Sequence, residues 1–344
     1  MRAGARAGDV AGAARAGEAG APAARGGDVG AGARPEMLAL VRGAGGPALR
    51  VLPAPGRPGP GEVLVRVAFA GVCRTDVYAA EGRIPVASGR VLGHEFAGRV
   101  VALGEGVRGP EVGCAVTADP RLPCGGCAGC RAGGGCARPR FLGLDVDGAF
   151  CEWLLLPARS LVPLPEGLDL RVGAYVEPVA ATLAVLGAGI APGERGVVYG
   201  AGRIAALAYD VLRAHGFERV ELCDPGAALD EGAYDFAVEA GLTGAGLRAL
   251  VAALRPRGRL VLKSRLVEPL PLELGPLVRK ELSLVAAHYG SFDEAVGLLA
   301  RGRLELGDRL APPRPLAEFA PVFAGEARAA RHKAMFALGP EGGL

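Results

Sequence analysis

The stretch "GVVYGAGRIAALAYDVL", residues 196–212, reads as a buried strand, a glycine turn and an amphipathic helix. Gly200, Gly202 and Ala205 make a G-x-G-x-x-A pattern across the turn, with Arg203 and Ile204 inside it. The first glycine permits a tight turn and the second lets backbone approach a pyrophosphate, which then rests on a helix N-terminus. These five residues are candidate cofactor contacts. Asp224 closes the next strand run, about 20 residues further on, where a carboxylate can accept hydrogen bonds from ribose hydroxyls. It would repel a 2′-phosphate, so NAD is expected rather than NADP.

The same texture continues on both sides. "RVELCD", "DFAVEA", "RLVLKS" and "ELSLVAAH" read as strands, and helical patterns cover 203–215 and 244–254. Alternation of this kind over 168–290 implies an α/β fold with a doubly wound parallel sheet. Upstream, short runs such as "EVLVRVAFAGVC" and "GRVVALGEGV" are separated by Pro and Gly turns, and imply a β-rich domain over 35–167. Downstream, "FDEAVGLLARG" reads as a helix and "HKAMFAL" as a last strand.

Composition excludes several classes. A chain of 344 residues is long enough for two domains. Its formal charge is only +3, and its arginines are scattered, so no nucleic-acid partner is expected. No uninterrupted run of about 18 apolar residues is present, so no membrane partner is expected. Residues 1–34 contain no Leu, Ile, Phe, Tyr or Trp and no apolar signal region, and read as a disordered Ala/Gly/Arg-rich extension. Eight cysteines without a secretory signal point to a reducing, cytoplasmic setting, where clustered thiols bind metal more often than they form disulfides.

Four of those cysteines, Cys124, Cys127, Cys130 and Cys136, crowd into "PCGGCAGCRAGGGC" at 123–136, within a lobe spanning 120–140. A Gly-loosened loop can turn four sulfurs inward, and four thiolates with no open position describe a structural zinc.

Cys73 in "GVCRTDVYAAEG" and His94 in "VLGHEFAGRVV" are ordinary alone. Taken with the cysteine lobe and the Gly-rich turn, in that order, they make the sequence resemble the zinc-dependent medium-chain alcohol and polyol dehydrogenases from about Met37 to Leu338. The resemblance implies a GroES-like catalytic domain, a Rossmann domain, and a return of residues 291–344 to the first. It implies a catalytic zinc held by Cys73, His94 and Glu177, the last in "VEPVAATLAV", so two zincs per chain. Glu95 is expected either to bind the metal in some states or to hydrogen-bond near it. Asp76 would orient His94, and Thr75 would pass the substrate proton towards solvent. The implied reaction is hydride transfer between an alcohol, a polyol or sugar among them, and NAD. A carbonyl reductase running in reverse, or a zinc- and nucleotide-binding protein without turnover, are the alternatives. A homo-oligomer, dimer or tetramer, is implied too. Phe141, Trp153 and Tyr289 carry no assignment beyond core packing.

Two departures from that family pattern stand out. About ten residues separate the strand run "RVELC" from "YDFAVEAG", where the family has a helix and a further strand. The missing strand would be the edge of the 3-2-1-4-5-6 order, so a shortened sheet of about five strands is expected, with a thinner adenine pocket. The gap from Cys130 to Cys136 is also shorter than usual by a couple of residues.

Overall fold

The computed structural model describes residues 35–133, 135–327 and 332–339. The extension expected over 1–34 lies outside the described residues.

The chain enters through a hairpin, β1 (Glu36–Gly43) and β2 (Gly46–Pro53). The first large sheet begins with β3 (Glu62–Gly71), followed by α1 (Arg74–Ala80), β4 (Glu95–Leu103) and β5 (Ala115–Ala118). Val63, Val65 and Val67 alternate along β3 and are fully buried, the period-2 pattern of a strand with one face in the core. The cysteine lobe follows as β6 (Arg121–Leu122), α2 (Ala128–Arg131) and β7 (Arg140–Phe141), and β8 (Trp153–Pro157) and β9 (Leu161–Pro163) bring the chain back to the sheet. Trp153 lies on this sheet, its ring under the Arg66 guanidinium.

Helices α3 (Leu170–Gly173) and α4 (Val176–Leu183) lead to the second sheet. It contains β10 (Gly196–Tyr199), α5 (Arg203–Ala214), β11 (Val220–Cys223), β12 (Tyr234–Glu239), α6 (Gly244–Ala253), β13 (Leu254–Leu262), α7 (Leu274–Arg279) and β14 (Ser283–Ala286). All pairings are parallel and the order is β11-β10-β12-β13-β14, the shortened five-strand sheet read from the sequence. After α8 (Phe292–Ala300) the chain returns through β15 (Arg314–Pro315), α9 (Phe319–Ala327) and β16 (Met335–Ala337), and β16 pairs antiparallel with β3. The first sheet thus runs β15-β16-β3-β4-β5-β9, with β8 also on β3.

The short crossover from β11 to β12 works because its strands are short. Four residues of strand are about 13 Å long and two strand spacings about 9.6 Å, so the return covers roughly 16 Å. Ten extended residues can span about 33 Å. Arg195 pins the returning chain: its Nη2 lies 3.0 Å from both Glu221 and Asp230, and its guanidinium stacks 4.6 Å over Tyr234.

The segment Leu170–Ala188 has the length and average hydropathy of a membrane span, although Arg171 and Glu177 interrupt it. It folds as separate short helices, and 67% of it is buried against the rest of the protein. It carries Glu177 into the site described next.

Candidate metal and dinucleotide site

Strand β3 and helix α1 meet at Cys73, the N-cap residue of α1. Asp76, in the first turn, binds this junction from within: Oδ2 accepts from the Cys73 amide at 2.8 Å and Oδ1 from the Gly93 amide at 3.2 Å. That fixes the start of α1 beside His94. His94 Nδ1 lies 3.2 Å from Asp76 Oδ1, in ion-pair range but outside hydrogen-bond angle, so the expected orienting contact is electrostatic here. Burial lowers the ring's proton affinity, but Asp76 and the Cys73 sulfur outweigh it, and the His94 pKa is well above its ordinary value.

The second ring nitrogen faces α4. His94 Nε2 is 3.9 Å from Glu177 Oε1, which also accepts a short hydrogen bond from the Tyr289 hydroxyl. Ligand atoms of Cys73, His94 and Glu95 lie within 4.8 Å of one another. The structure therefore draws Glu95 as well as Glu177 to His94. Glu95 Oε2 forms a short ion pair with Lys333, just before β16, and both are almost completely buried. Burial first, and the Glu95 carboxylate second, push the Glu177 pKa up. A thiol, an imidazole and a buried carboxylate around one point, with a second buried carboxylate against the imidazole, are a donor set that a divalent cation relieves, because buried charge is otherwise costly. The mixed N, S and O ligands suit zinc.

Above these groups stands a collar that sequence reading missed. Phe141 packs edge-on to His94 at 5.3 Å and beside Tyr289 and His288. Arg121 lies 4.8 Å over the Tyr289 ring and Arg265 lies 5.0 Å over Phe141. Arg265 Nη1 reaches Thr75 Oγ1 at 3.5 Å, and Nη2 contacts His288. Lys263 Nζ donates to the carbonyls of Ala287 and His288 at 3.3 and 3.0 Å, and burial draws its pKa down to about 8. Four separate segments build the collar, so no local pattern announced it. The cluster of two cations in "LKSRL" was the one available signal.

In the lobe, Cys124, Cys127, Cys130 and Cys136 bring their sulfurs within 4.8 Å of one another. The Cys124 and Cys130 sulfurs are 3.9 Å apart. That is too far for a disulfide, and close to the ligand-to-ligand edge of about 3.8 Å in a tetrahedron with Zn–S bonds near 2.3 Å. Backbone amides point at the sulfurs, Cys130 N to Cys127 at 3.4 Å and Cys124 N to Cys136 at 3.2 Å. Such donors favour the thiolate, and those of Ala137 and Cys130 hold the Cys127 pKa at about 6. The shorter gap before Cys136 does not keep its sulfur from the others.

The glycine turn lines a cleft of about 500 Å³ together with Leu222 and Asp224. Gly200 has φ +151°, and a Cβ there would come within 3.1 Å of Ala205 and the Ala240 carbonyl. Gly202 caps α5 and faces open space. Ala205 is buried beneath the turn, as the motif requires. Two residues behave differently from expectation. Arg203 lines the cleft, but its guanidinium is taken by Glu326 on α9 and the His332 carbonyl. Ile204 is not among the lining residues, because one helical turn carries Ala206 to the cleft instead.

Residues 59–166 match the alcohol dehydrogenase GroES-like domain family. A sorbitol dehydrogenase from Halalkalibacterium halodurans is 40% identical over 52% of this chain, which spans about half, 54%, of that relative's length. A 2-dehydro-3-deoxy-L-galactonate 5-dehydrogenase from Pseudoalteromonas atlantica is 32% identical over 78% of this chain and 88% of its own. Among solved structures, a chain assigned as a zinc-binding dehydrogenase from Sinorhizobium meliloti, bound to NADP, superposes with a TM-score of 0.79 at 26% identity, covering 88% of this chain and all of that one. Sheet order, the His94 cluster, the four-cysteine lobe and a relative matched over most of its length agree: this chain belongs to the zinc-dependent medium-chain alcohol and polyol dehydrogenase family.

Proposed function

We propose that this protein catalyses reversible oxidation of a polyol or related sugar alcohol with NAD, at a zinc held by Cys73, His94 and Glu177. The observation that carries this reading is the meeting of Cys73, His94 and Glu95 ligand atoms within 4.8 Å of one another, with the buried Glu177 carboxylate 3.9 Å from the far nitrogen of His94. When bound, zinc supplies a Lewis acid that lowers the pKa of the alcohol, and NAD supplies the hydride acceptor. The chain's own residues do the rest. Thr75 takes the hydroxyl proton and hands it towards water past Arg265, its contact at the exposed rim. Tyr289 holds one Glu177 oxygen, and Lys333 holds one Glu95 oxygen. Asp224 at the end of β11 favours a free ribose 2′-hydroxyl, hence NAD. A second zinc would clip the lobe through Cys124, Cys127, Cys130 and Cys136.

The test is metal analysis with a panel of polyols, primary alcohols and cyclitols, read by NADH absorbance. Two zincs per chain and activity are expected, with activity falling at least about 100-fold in Cys73→Ser, His94→Ala and Glu177→Ala. Wild-type turnover in these variants would refute the assignment. We also propose a homo-oligomer, supported by Leu274 and Val278 standing 64% and 74% exposed on α7 beside the edge strand β14; a monomeric mass by light scattering would refute it. Eight free thiols support a cytoplasmic setting, which disulfides in protein recovered from cells would contradict.

A further inference from the structure

We propose that this site selects alcohols that also carry an anion, a carboxylate or a phosphate, and that Arg265 binds it. The inference deepens the proposed reading and rests on it for the position of the reacting hydroxyl.

Charge pairing around the collar leads to this conclusion. Arg121 is matched by Asp119, through two side-chain hydrogen bonds of 3.0 and 2.6 Å. Glu95 is matched by Lys333, and Glu177 faces His94 and Tyr289. Lys263 spends its ammonium hydrogens on two carbonyls. Arg265, like Lys263, has no carboxylate within ion-pair distance among the described residues, but it is the exposed one of the two; its contacts are the Thr75 hydroxyl, the His288 ring and the face of Phe141. His288 does not offset it with negative charge, and burial together with Arg265 and Lys263 draws its pKa down to about 4, so the ring is neutral. The rim of the site is therefore positive, with one exposed guanidinium unmatched.

That guanidinium is held ready. Glu239, at the end of β12, is buried and spends its carboxylate on the turn that carries Arg265. Oε1 accepts from the amides of Lys263 and Ser264 at 2.8 and 2.9 Å, and Oε2 from the Ser264 hydroxyl at 2.6 Å. Stacking on Phe141 leaves the guanidinium edge available, and two of its five N–H groups are engaged by Thr75 and His288. The remaining hydrogens can form the forked contact that suits carboxylate or phosphate oxygens. A neutral polyol would leave this fork without an anionic partner. The 3.5 Å contact with Thr75 places the anion site within reach of a hydroxyl presented to Thr75, so one polyol of a few carbons can occupy both.

The experiment compares sorbitol, D-gluconate and sorbitol 6-phosphate as ligands of the zinc-loaded full chain, by calorimetry at low salt, without turnover. At least one anionic compound should bind about tenfold more tightly than sorbitol, the range expected of a charge-assisted contact. The stronger of the two identifies carboxylate or phosphate as the natural group. In Arg265→Gln the preference should collapse to about twofold or less, and Arg265→Lys should restore part of it. NADH affinity is measured in parallel on each variant. Equal binding of all three compounds by the wild type would overturn the proposal. So would a preference that survives Arg265→Gln while NADH binding is lost, since the cation would then serve the cofactor. A preserved anion preference without oxidation of any alcohol refutes the proposed reaction and leaves this binding assignment standing.

Discussion

At the residue scale, Glu95 is held from two sides. It sits beside a metal ligand candidate, yet its Oε2 is committed to Lys333, and a Cβ on Gly71 would stand only 2.6 Å from that oxygen and 2.8 Å from Lys333 Cε. Lys333→Met leaves a buried carboxylate without a cation and should destabilise the metal-free protein by about 3–5 kcal/mol. Adding Glu95→Gln should recover much of that loss, which urea unfolding of the single and double variants would measure. Gly71→Ala should weaken the same pair by crowding it, at a cost of about 1–3 kcal/mol. His288 gives a pH dependence. Its folded pKa of about 4 lies below the ordinary 6.5, so the unfolded chain takes up the proton first. Stability should fall as pH drops from about 6.5 to 4, and His288→Gln should flatten that slope in denaturation measured at pH 7 and pH 5. Cys73, Thr75, Asp76 and His94 were legible because local motifs mark them. Phe141, Arg265 and Tyr289 were not, since each looks like ordinary packing or surface until the fold joins them.

At the element scale, the turn between β10 and α5 separates two roles that one motif merges. Gly200→Ala puts a side chain into a left-handed backbone position already close to Ala205 and Ala240, and should cost about 1–3 kcal/mol. Gly202→Ala meets no protein atom within 4 Å, so stability should change by about 1 kcal/mol or less, while NADH affinity drops as the methyl enters the cleft. Thermal melts with fluorescence titration of both variants distinguish the roles. The strand–turn–helix was readable from glycine spacing and hydrophobic period. The path of residues 224–233 was not, because ion pairs fix it: Arg195→Ala should raise amide exchange across 224–233, leaving β10 protected.

At the scale of the whole molecule, helix α5 is tied to the returning segment by two ion pairs, Arg203 with Glu326 and Arg309 with Asp210. Arg203 is largely buried, so Glu326→Ala removes a buried carboxylate that pairs with it and should cost about 3 kcal/mol by urea unfolding. The arrangement of a β-rich sheet followed by a shortened parallel sheet was legible from the change of texture near residue 168. The clasp was not, because a G-x-G-x-x-A pattern suggests that Arg203 serves a phosphate, and only the fold shows what it grips.

The ion pair between Glu95 and Lys333 has a consequence for biosynthesis. The two residues lie far apart along the chain, and a ribosome releases Cys73, His94 and Glu177 long before Lys333. During that interval the nascent chain can form its second sheet in full, while Glu95 still lacks its cation. Metal captured before Lys333 is in place would therefore meet an environment more negative by one charge than the folded protein offers.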